Sequence, residues 1–239
     1  FSVKAHRSMT HERPASAEDA AAAFRQFAEG VAPLVDSGSL GCVLLQFPWG
    51  FRPGVESAAY LSRARELLGD LPAVVEFRHA GWVSEETFRF LRAEGLGFCC
   101  VDEPRLEGLV PPVAVATSAL AYVRFHGRNA ARWWRHREAW ERYDYLYSAV
   151  ELREWVPRVA ALAGSAREAF VIFNNHFGGS APRNALQMAA LLRETMGADS
   201  VVGAEAPAGG GLPLLEAEWE GHGEAKREGS GPAGRAGAG

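Results

Sequence analysis

Short apolar segments of this chain repeatedly end in charged or amide residues, and a turn marked by glycine or proline follows. The clearest examples are 43–48 (VLLQFP), 74–79 (VVEFRH), 122–127 (YVRFHG) and 171–176 (VIFNNH). Apolar strands with polar groups at their carboxyl ends are typical of βα barrels, whose functional sites lie at that end. The pattern therefore predicts an α/β fold, a βα barrel, with a functional site on one face.

Strands and helices alternate along the rest of the chain. Apolar content and flanking turn residues predict strands at 1–4, 42–47, 73–77, 96–101, 120–125 and 169–174. Helices are expected after Ser16, over 55–69, after Ser84, from Ser148 and from Pro182. Ser148 and Glu151 have capping-box spacing, and Pro157 is expected to kink the helix that follows them.

Six strands are fewer than the eight of a closed barrel. The count fits an open doubly wound sheet or a TIM-like barrel whose first two βα units are missing. Polar strand ends and a first residue, Phe1, that is not Met favour the barrel truncated at its N-terminus. Residues 1–202 are then a partial barrel with strands three to eight. The Gly-, Ala-, Pro- and Glu-rich segment 203–239 is expected to be a disordered tail.

Composition limits the classes of function. The 239 residues are 48% apolar, enough for the core of one large domain, and the net charge of −4 argues against generic coating of nucleic acid or membrane. The three cysteines lie in apolar segments, which indicates reduced thiols in a cytoplasmic protein. No apolar run approaches the roughly 18 residues of a membrane span. No dinucleotide fingerprint occurs either, so we expect no membrane segment and no cofactor.

The polar residues at the strand ends are grouped by face, because side chains two positions apart on a strand share one. If these faces point inward, the barrel mouth contains Lys4, Gln46, Glu76, Arg78, Asp102, Arg124, His126 and Asn174. The same rule places Asp102 on the inner face together with Cys100. Burying so many ionisable groups is costly unless they pair or meet a ligand. An internal salt-bridge network that only fills the barrel top is the structural alternative.

Cations outnumber carboxylates in this set, and Arg128 follows just beyond it. Guanidinium groups bind phosphate or carboxylate bidentately, so the excess favours an anionic ligand. It argues against a metal centre, whose ligands are carboxylates and neutral imidazoles. We therefore predict no metal ligands, although a set can be drawn from Glu76, His79, Asp102, His126 and His176.

Two further segments could contribute to the site. The turn after the last strand contains Asn174, Asn175 and Gly178 and leads to a predicted helix start, where free N–H groups attract anions; it is either part of an anion site or a plain connection. The segment 128–147 mixes arginines with tryptophans and tyrosines, which can stack bases or cover a sugar ring, although packing is the usual role of tryptophan. Tyr145 or its neighbour Tyr143 could place a hydroxyl over the mouth.

Several motifs together carry a family resemblance. They are Thr10-His11, Gln46-Phe47-Pro48, Glu76-Phe77-Arg78-His79 with Trp82, Arg124-Phe125-His126-Gly127-Arg128, Tyr143-Asp144-Tyr145, and Asn174-Asn175 with Gly178. In this order they resemble the YecE-like proteins, catalogued as domain of unknown function 72. The resemblance covers residues 1–197 and implies a TIM-like barrel whose first two strands precede Phe1. It implies no settled reaction.

We predict an enzyme that acts on a phosphate-bearing ligand: a nucleotide, nucleic acid or sugar phosphate. Glu76 or Asp102 would act as the base, and His126 would exchange a proton. The predicted ligand contacts are Lys4, Gln46, Arg78, His79, Trp82, Arg124, Arg128, Tyr145, Asn174, Asn175 and Gly178. The alternatives are a non-catalytic protein that binds nucleic acid or a partner through 128–147, a metal-dependent phosphoesterase or nuclease, and a carbohydrate-acting enzyme with a carboxylate pair.

Overall fold

Six parallel β-strands form the centre of the structure, a computed structural model that describes residues 1–14 and 16–202. They are β1 (Ser2–Lys4), β2 (Cys42–Gln46), β3 (Ala73–Glu76), β4 (Gly97–Asp102), β5 (Leu120–Phe125) and β6 (Glu168–Phe173). Neighbours in the sheet follow the order of the sequence. Each strand lies where the apolar pattern predicted one. The tail predicted at 203–239 lies outside the described residues.

The sheet curls into a half-barrel. In a flat sheet β1 and β5 would lie about 19 Å apart, at about 4.8 Å per strand. Instead, Ser2 Oγ on β1 lies 2.7 Å from the Tyr122 hydroxyl on β5. Arg124 on β5 likewise reaches Gln46 at the end of β2. These contacts cross the concave side, so the fold is an α/β half-barrel consistent with a TIM-like barrel, and the flat doubly wound alternative was wrong.

Seven α-helices occur within the described residues. They are α1 (Arg7–Thr10), α2 (Ala17–Asp36), α3 (Val55–Leu68), α4 (Glu85–Ala93), α5 (Ala130–Trp133), α6 (Ala149–Ser165) and α7 (Ser180–Met196). Ser16, Ser84 and Ser148 each accept a hydrogen bond from an N–H of the first turn, as predicted. One detail differs, since α7 begins at Ser180, ahead of Pro182; α6 is a single helix that contains Pro157.

Large apolar side chains fill the space between strands and helices. The rings of Phe125 on β5 and Trp155 on α6 are fully buried, with centroids 5.4 Å apart. Burial of each such side chain contributes about 1.5–3 kcal/mol. This packing fixes the convex face of β5, so its alternate residues, Arg124 among them, face the concave side.

The three cysteines, Cys42, Cys99 and Cys100, are all buried and free of disulfides. Within residues 1–14 and 16–202, no helix has both the length and the apolar character needed to cross a bilayer. Cys99 faces the concave side, where its Sγ lies 3.9 Å from Glu76 Oε2.

Candidate functional site

The ends of β3 and β5 bring four predicted site residues into contact on the concave side. Glu76 ends β3 and is fully buried. Its Oε2 lies 2.5 Å from Arg124 Nη1, and its Oε1 lies 2.8 Å from Arg78 Nε and 3.2 Å from His126 Nε2. A single carboxylate therefore sits between two guanidinium groups and one imidazole.

The two arginines keep Glu76 ionised. Burial by itself raises the pKa of the carboxyl, but Arg78 and Arg124 outweigh it and hold that pKa well below its usual range. Burial would lower the pKa of both arginines, and Glu76 raises it instead. These contacts favour the ionised form of Glu76, which orients two cations, and its environment gives no support to the predicted role as a base.

Side-chain amides from β2 and the end of β6 complete the contacts of Arg124. Its Nη2 donates to Asn174 Oδ1 at 3.0 Å, and its Nη1 to Gln46 Oε1 at 3.3 Å. Asn174 Nδ2 lies 3.2 Å from His126 Nδ1, so the amide donates and the imidazole proton sits on Nε2. Burial and the charge of Arg78 lower the pKa of His126 to about 3. The ring is therefore neutral near pH 7, which does not favour the predicted proton exchange.

The face assigned to Asp102 was wrong. Cys99 rather than Cys100 faces the concave side, so Asp102 points outward to the helices, where Trp155 Nε1 donates to its Oδ2 at 2.6 Å. A strand buried on both faces is apolar throughout, and alternation cannot identify its inner face.

The residue after Asp102 occupies the predicted inner position. Glu103 is buried, with Oε2 3.3 Å from Arg78 Nη1, and its Oε1 accepts a hydrogen bond from the Val110 N–H. Two positions beyond Val101, it shares the inner face of β4, a signal that the correct register would have revealed. We call the set Glu76, Arg78, Glu103, Arg124, His126 and Asn174 the inner cluster.

Arg128 belongs to a separate group on the convex side. Its Nε and Nη2 bind the two oxygens of Asp102, each at 2.8 Å, and Nη2 also donates to Glu154 at 2.9 Å. Gly127 produces this change of side, because its φ of 89° turns the chain in a way that favours glycine. A side chain at this position would also clash, since its Cβ would lie 2.7 Å from the Cβ of Tyr145. With its charge compensated, Arg128 is not placed to hold an anion at the mouth.

Tyr145 joins this convex group as well. Its hydroxyl donates to Glu151 at 2.5 Å, whereas the Tyr143 ring lies at the mouth, 6.1 Å from that of His126. The mouth-facing tyrosine is therefore Tyr143. We call the set Asp102, Arg128, Tyr145, Tyr147, Glu151, Glu154 and Trp155 the outer network.

His79 and Trp82 have structural contacts. His79 Nδ1 accepts from the Gly81 N–H at 3.0 Å, and its Nε2 lies 2.7 Å from Arg52 Nη1. The buried Trp82 ring stacks on Phe77 with centroids 4.2 Å apart, and its Nε1 donates to Phe51 O at 2.7 Å. The tryptophan is part of the core.

The turn after β6 is anchored by Asn175. This buried amide donates to Tyr145 O at 2.8 Å and to Asn184 Oδ1 at 2.9 Å, which ties the turn to α7. Gly178 follows in a 3-10 turn with φ of 61°. Both hydrogen bonds of the Asn175 side chain lead away from the inner cluster, so they position the loop.

Lys4 extends the positive charge toward the open side of the mouth. It lines a cavity of about 450 Å³ together with His6, Arg7 and His11. Burial and the charge of Arg124 lower the pKa of Lys4, while Glu76 acts in the opposite direction. Lys4 makes no salt bridge with any residue of the described part of the chain.

The inner cluster is poorly satisfied in hydrogen bonds. Of the five buried side-chain atoms without a partner in the described ranges, four belong to it: Glu76 Oε1, Arg78 Nε, Arg124 Nε and His126 Nε2. Arg78 Nε and Glu76 Oε1 are close, but the N–H bond does not point at the oxygen. Buried polar atoms in native proteins are nearly always hydrogen-bonded, so a concentration of exceptions requires an explanation.

Aromatic rings border the mouth. We call Trp49, Trp134, Trp133, Tyr143, His176, Phe177 and Trp140 the aromatic belt. Trp140 stacks on Phe177 with ring centroids 4.1 Å apart. Both residues are nevertheless partly exposed, Trp140 to 40% and Phe177 to 39%. Trp134 is 52% exposed, while Trp133 is buried. Packing therefore explains Trp133 but not its exposed neighbours.

The possible metal set does not assemble. Within the described ranges, no group of three or more His, Cys, Asp or Glu side chains is placed to hold a metal ion. Asp102 faces the outer network, and His79 is occupied by Arg52 and Gly81.

Comparisons with known proteins identify relatives of the chain. A family model described as "Protein of unknown function DUF72" matches residues 1–208. The UPF0759 protein YunF of Bacillus subtilis (strain 168) is 38% identical over 204 residues, which are 80% of this chain and 72% of that protein. A DUF72 family structure from Thermotoga maritima MSB8 has a TM-score of 0.74 and 39% identity, and the alignment covers 81% of this chain and 73% of the other. One from Enterococcus faecalis V583 has a TM-score of 0.72 and 33% identity, covering 81% and 74%.

Proposed function

This chain belongs to the DUF72 family of proteins of unknown function, and we propose that its inner cluster binds a phosphate-bearing ligand on which the protein acts as an enzyme. Arg78, Arg124 and Lys4 would hold the anion. Glu76 would keep both guanidinium groups in position. Arg128 and Asp102, which belong to the outer network, have no part in this revised site.

The unsatisfied donors of the inner cluster carry this proposal. Arg124 Nε and Arg78 Nε are buried without hydrogen-bond partners among the described residues. Each such group costs about 1–3 kcal/mol, which an oxyanion with several acceptor atoms would offset. Three cations, Lys4, Arg78 and Arg124, also outnumber the carboxylates of Glu76 and Glu103, so the local charge favours an anion. Lys4 itself lines an open surface cavity of about 450 Å³.

Titration with inorganic phosphate and sulfate tests the proposal. Lys4→Ala should weaken binding by about 10-fold, because one charge-assisted contact contributes about 1.5 kcal/mol. Arg89→Ala, which removes an exposed cation from α4, is the matched control and should leave affinity unchanged. Equal affinities for both variants and the unaltered chain would contradict the assignment of Lys4. A lack of measurable binding would contradict the anion site itself.

Binding of nucleic acid by the aromatic belt is the second candidate. Exposed stacked rings and nearby guanidinium groups support it: Arg52 lies 3.9 Å above the Trp49 ring, and Arg142 5.4 Å from that of Trp133. Replacing Arg132, Arg135 and Arg137 should then weaken binding of single-stranded oligonucleotides in a salt-dependent way. Salt-independent binding would contradict this candidate. A metal-dependent reaction at the same mouth would instead be abolished by chelators and restored by a divalent ion.

Barrel closure and location also belong to the proposal. The edges of β1 and β6 have no partner strand within the described part of the chain, which supports two further βα units that complete a TIM-like barrel. Buried, unpaired cysteines support a cytoplasmic protein.

A further inference from the structure

Two buried carboxylates share one guanidinium group in the inner cluster. Arg78 Nε lies 2.8 Å from Glu76 Oε1, and its Nη1 lies 3.3 Å from Glu103 Oε2. Both glutamate side chains are fully buried, so water screens little of the repulsion between them. Glu76 also pairs with Arg124, whereas Arg78 is the one guanidinium group that Glu103 contacts among the described residues, so the two carboxylates are compensated unequally.

Glu103 receives the weaker compensation. Glu76 has two arginines and the imidazole of His126 around it. The groups that face Glu103 are Glu76 at the end of β3, Arg78 just beyond it, and the Val110 N–H from its own loop. Burial raises the pKa of Glu103 to about 7, with Glu76 adding to this and Arg78 opposing it. Carboxylic acids with such different environments commonly differ in their protonation near neutral pH.

We propose that Glu103 takes up a proton when an oxyanion binds at Arg78 and Arg124, so that acidification tightens anion binding at this site. This inference rests on the proposed function. A bound anion pairs with Arg78, which otherwise compensates the negative charge of Glu103. The anion also adds negative charge close to Glu103. Both effects favour the neutral acid form of Glu103, and protonation in turn releases Arg78 for the ligand.

The coupling between proton binding and anion binding determines how strongly, and in which direction, pH changes the anion affinity. If the anion shifts the proton equilibrium of Glu103 by about 10-fold, binding affinity should rise about 10-fold as the pH falls from about 9 to about 6. Near pH 7 each bound anion should bring about 0.4 proton with it. The gain ends at low pH, where Glu103 is already protonated in the free protein.

Calorimetric titration of sulfate into the full chain tests this inference. Sulfate stays a dianion throughout this range, so proton uptake reports on the protein alone. Measurements in two buffers of different ionisation enthalpy give the number of protons bound. Glu103→Gln is nearly isosteric and keeps an acceptor for the Val110 N–H. It should bind sulfate with little pH dependence near neutrality, while Glu107→Gln, in the same loop and exposed, should behave like the unaltered chain.

The outcomes separate the two proposals. Sulfate binding without proton uptake in the unaltered chain overturns the role of Glu103 and leaves the anion site standing. Undiminished uptake in a folded Glu103→Gln variant has the same meaning. If sulfate does not bind at all, the proposed function fails and this inference fails with it. The two-buffer measurement on the unaltered chain needs no variant, so a folding defect in Glu103→Gln does not prevent the test.

Discussion

The inner cluster and the outer network each pair a fully buried carboxylate with arginine, but they satisfy its hydrogen bonds differently. Asp102 accepts four well-directed hydrogen bonds, two from Arg128 and one each from Tyr147 and Trp155. Glu76 has charges close by, yet its Oε1 lacks a directed hydrogen bond among the described residues. A carboxylate whose oxygens are fully hydrogen-bonded stabilises the fold. Where those bonds are incomplete, the N–H donors of the neighbouring arginines remain available to a ligand.

The largest expected effect on stability comes from removing the carboxylate of the outer network. Asp102→Asn should lower the free energy of unfolding by about 3–5 kcal/mol, because it leaves Arg128 without its bidentate partner and turns an amide N–H toward other donors. Urea denaturation measures the loss, and sulfate should not restore it. Asp144→Asn, an exposed change nearby, should have an effect within about 0.5 kcal/mol. A small loss for Asp102→Asn would contradict the structural role of the outer network.

Removing the anion of the inner cluster should cost somewhat less and should respond to ligand. Glu76→Gln should destabilise the fold by about 2–4 kcal/mol, since two buried cations lose their counter-charge. Sulfate should bind the freed guanidinium groups and recover part of this loss in a thermal-shift titration. If sulfate rescues Asp102→Asn as much as Glu76→Gln, the distinction between the two groups is wrong.

Acid should affect the inner cluster through His126. Its folded-state pKa of about 3 lies below the ordinary 6.5, so the unfolded chain takes up the proton first. Stability should therefore fall as the pH drops from about 6.5 toward about 3, by a few kcal/mol in total. His126→Gln cannot take up that proton, so its free energy of unfolding should fall less over the same range. Equal slopes for the two proteins would contradict a buried neutral imidazole.

The two tyrosines give the smallest and most closely matched contrast. Tyr145→Phe removes the bond to Glu151 in the outer network and should cost about 1 kcal/mol of stability without changing sulfate affinity. Tyr143→Phe, at the mouth, should leave stability within about 0.5 kcal/mol and weaken anion binding a few-fold. The reverse result would place the ligand on the convex side.

The sequence was sufficient for the elements but not for every face. Each strand was found because its apolar run ends at a turn, and Glu76, Arg78 and Arg124 were grouped correctly because their strands alternate. The alternation of side chains did not identify the inner face of β4. Cys99, Cys100 and Val101 are all apolar, so both faces of this strand look alike in the sequence. For this reason Asp102 was predicted at the inner position that Glu103 occupies.

Other site assignments depend on residues that are distant in the sequence. Arg128 is engaged by Glu151 and Glu154, more than twenty positions along the chain on α6, and nothing near it in sequence shows this. Trp82 was assigned to a ligand because it follows a strand end, but Phe77 and Phe51 enclose it in the core. Only tertiary packing decides between these roles.

Nitrogen-15 NMR of the arginine Nε–H groups during a sulfate titration tests the central contrast most directly. The Nε–H signals of Arg78 and Arg124 should shift as these groups bond to the anion, and they should become protected from exchange with water. The signal of Arg128, already bonded to Asp102, should not move. Equal shifts for all three arginines, or a shift confined to Arg128, would contradict the inner cluster as the anion site.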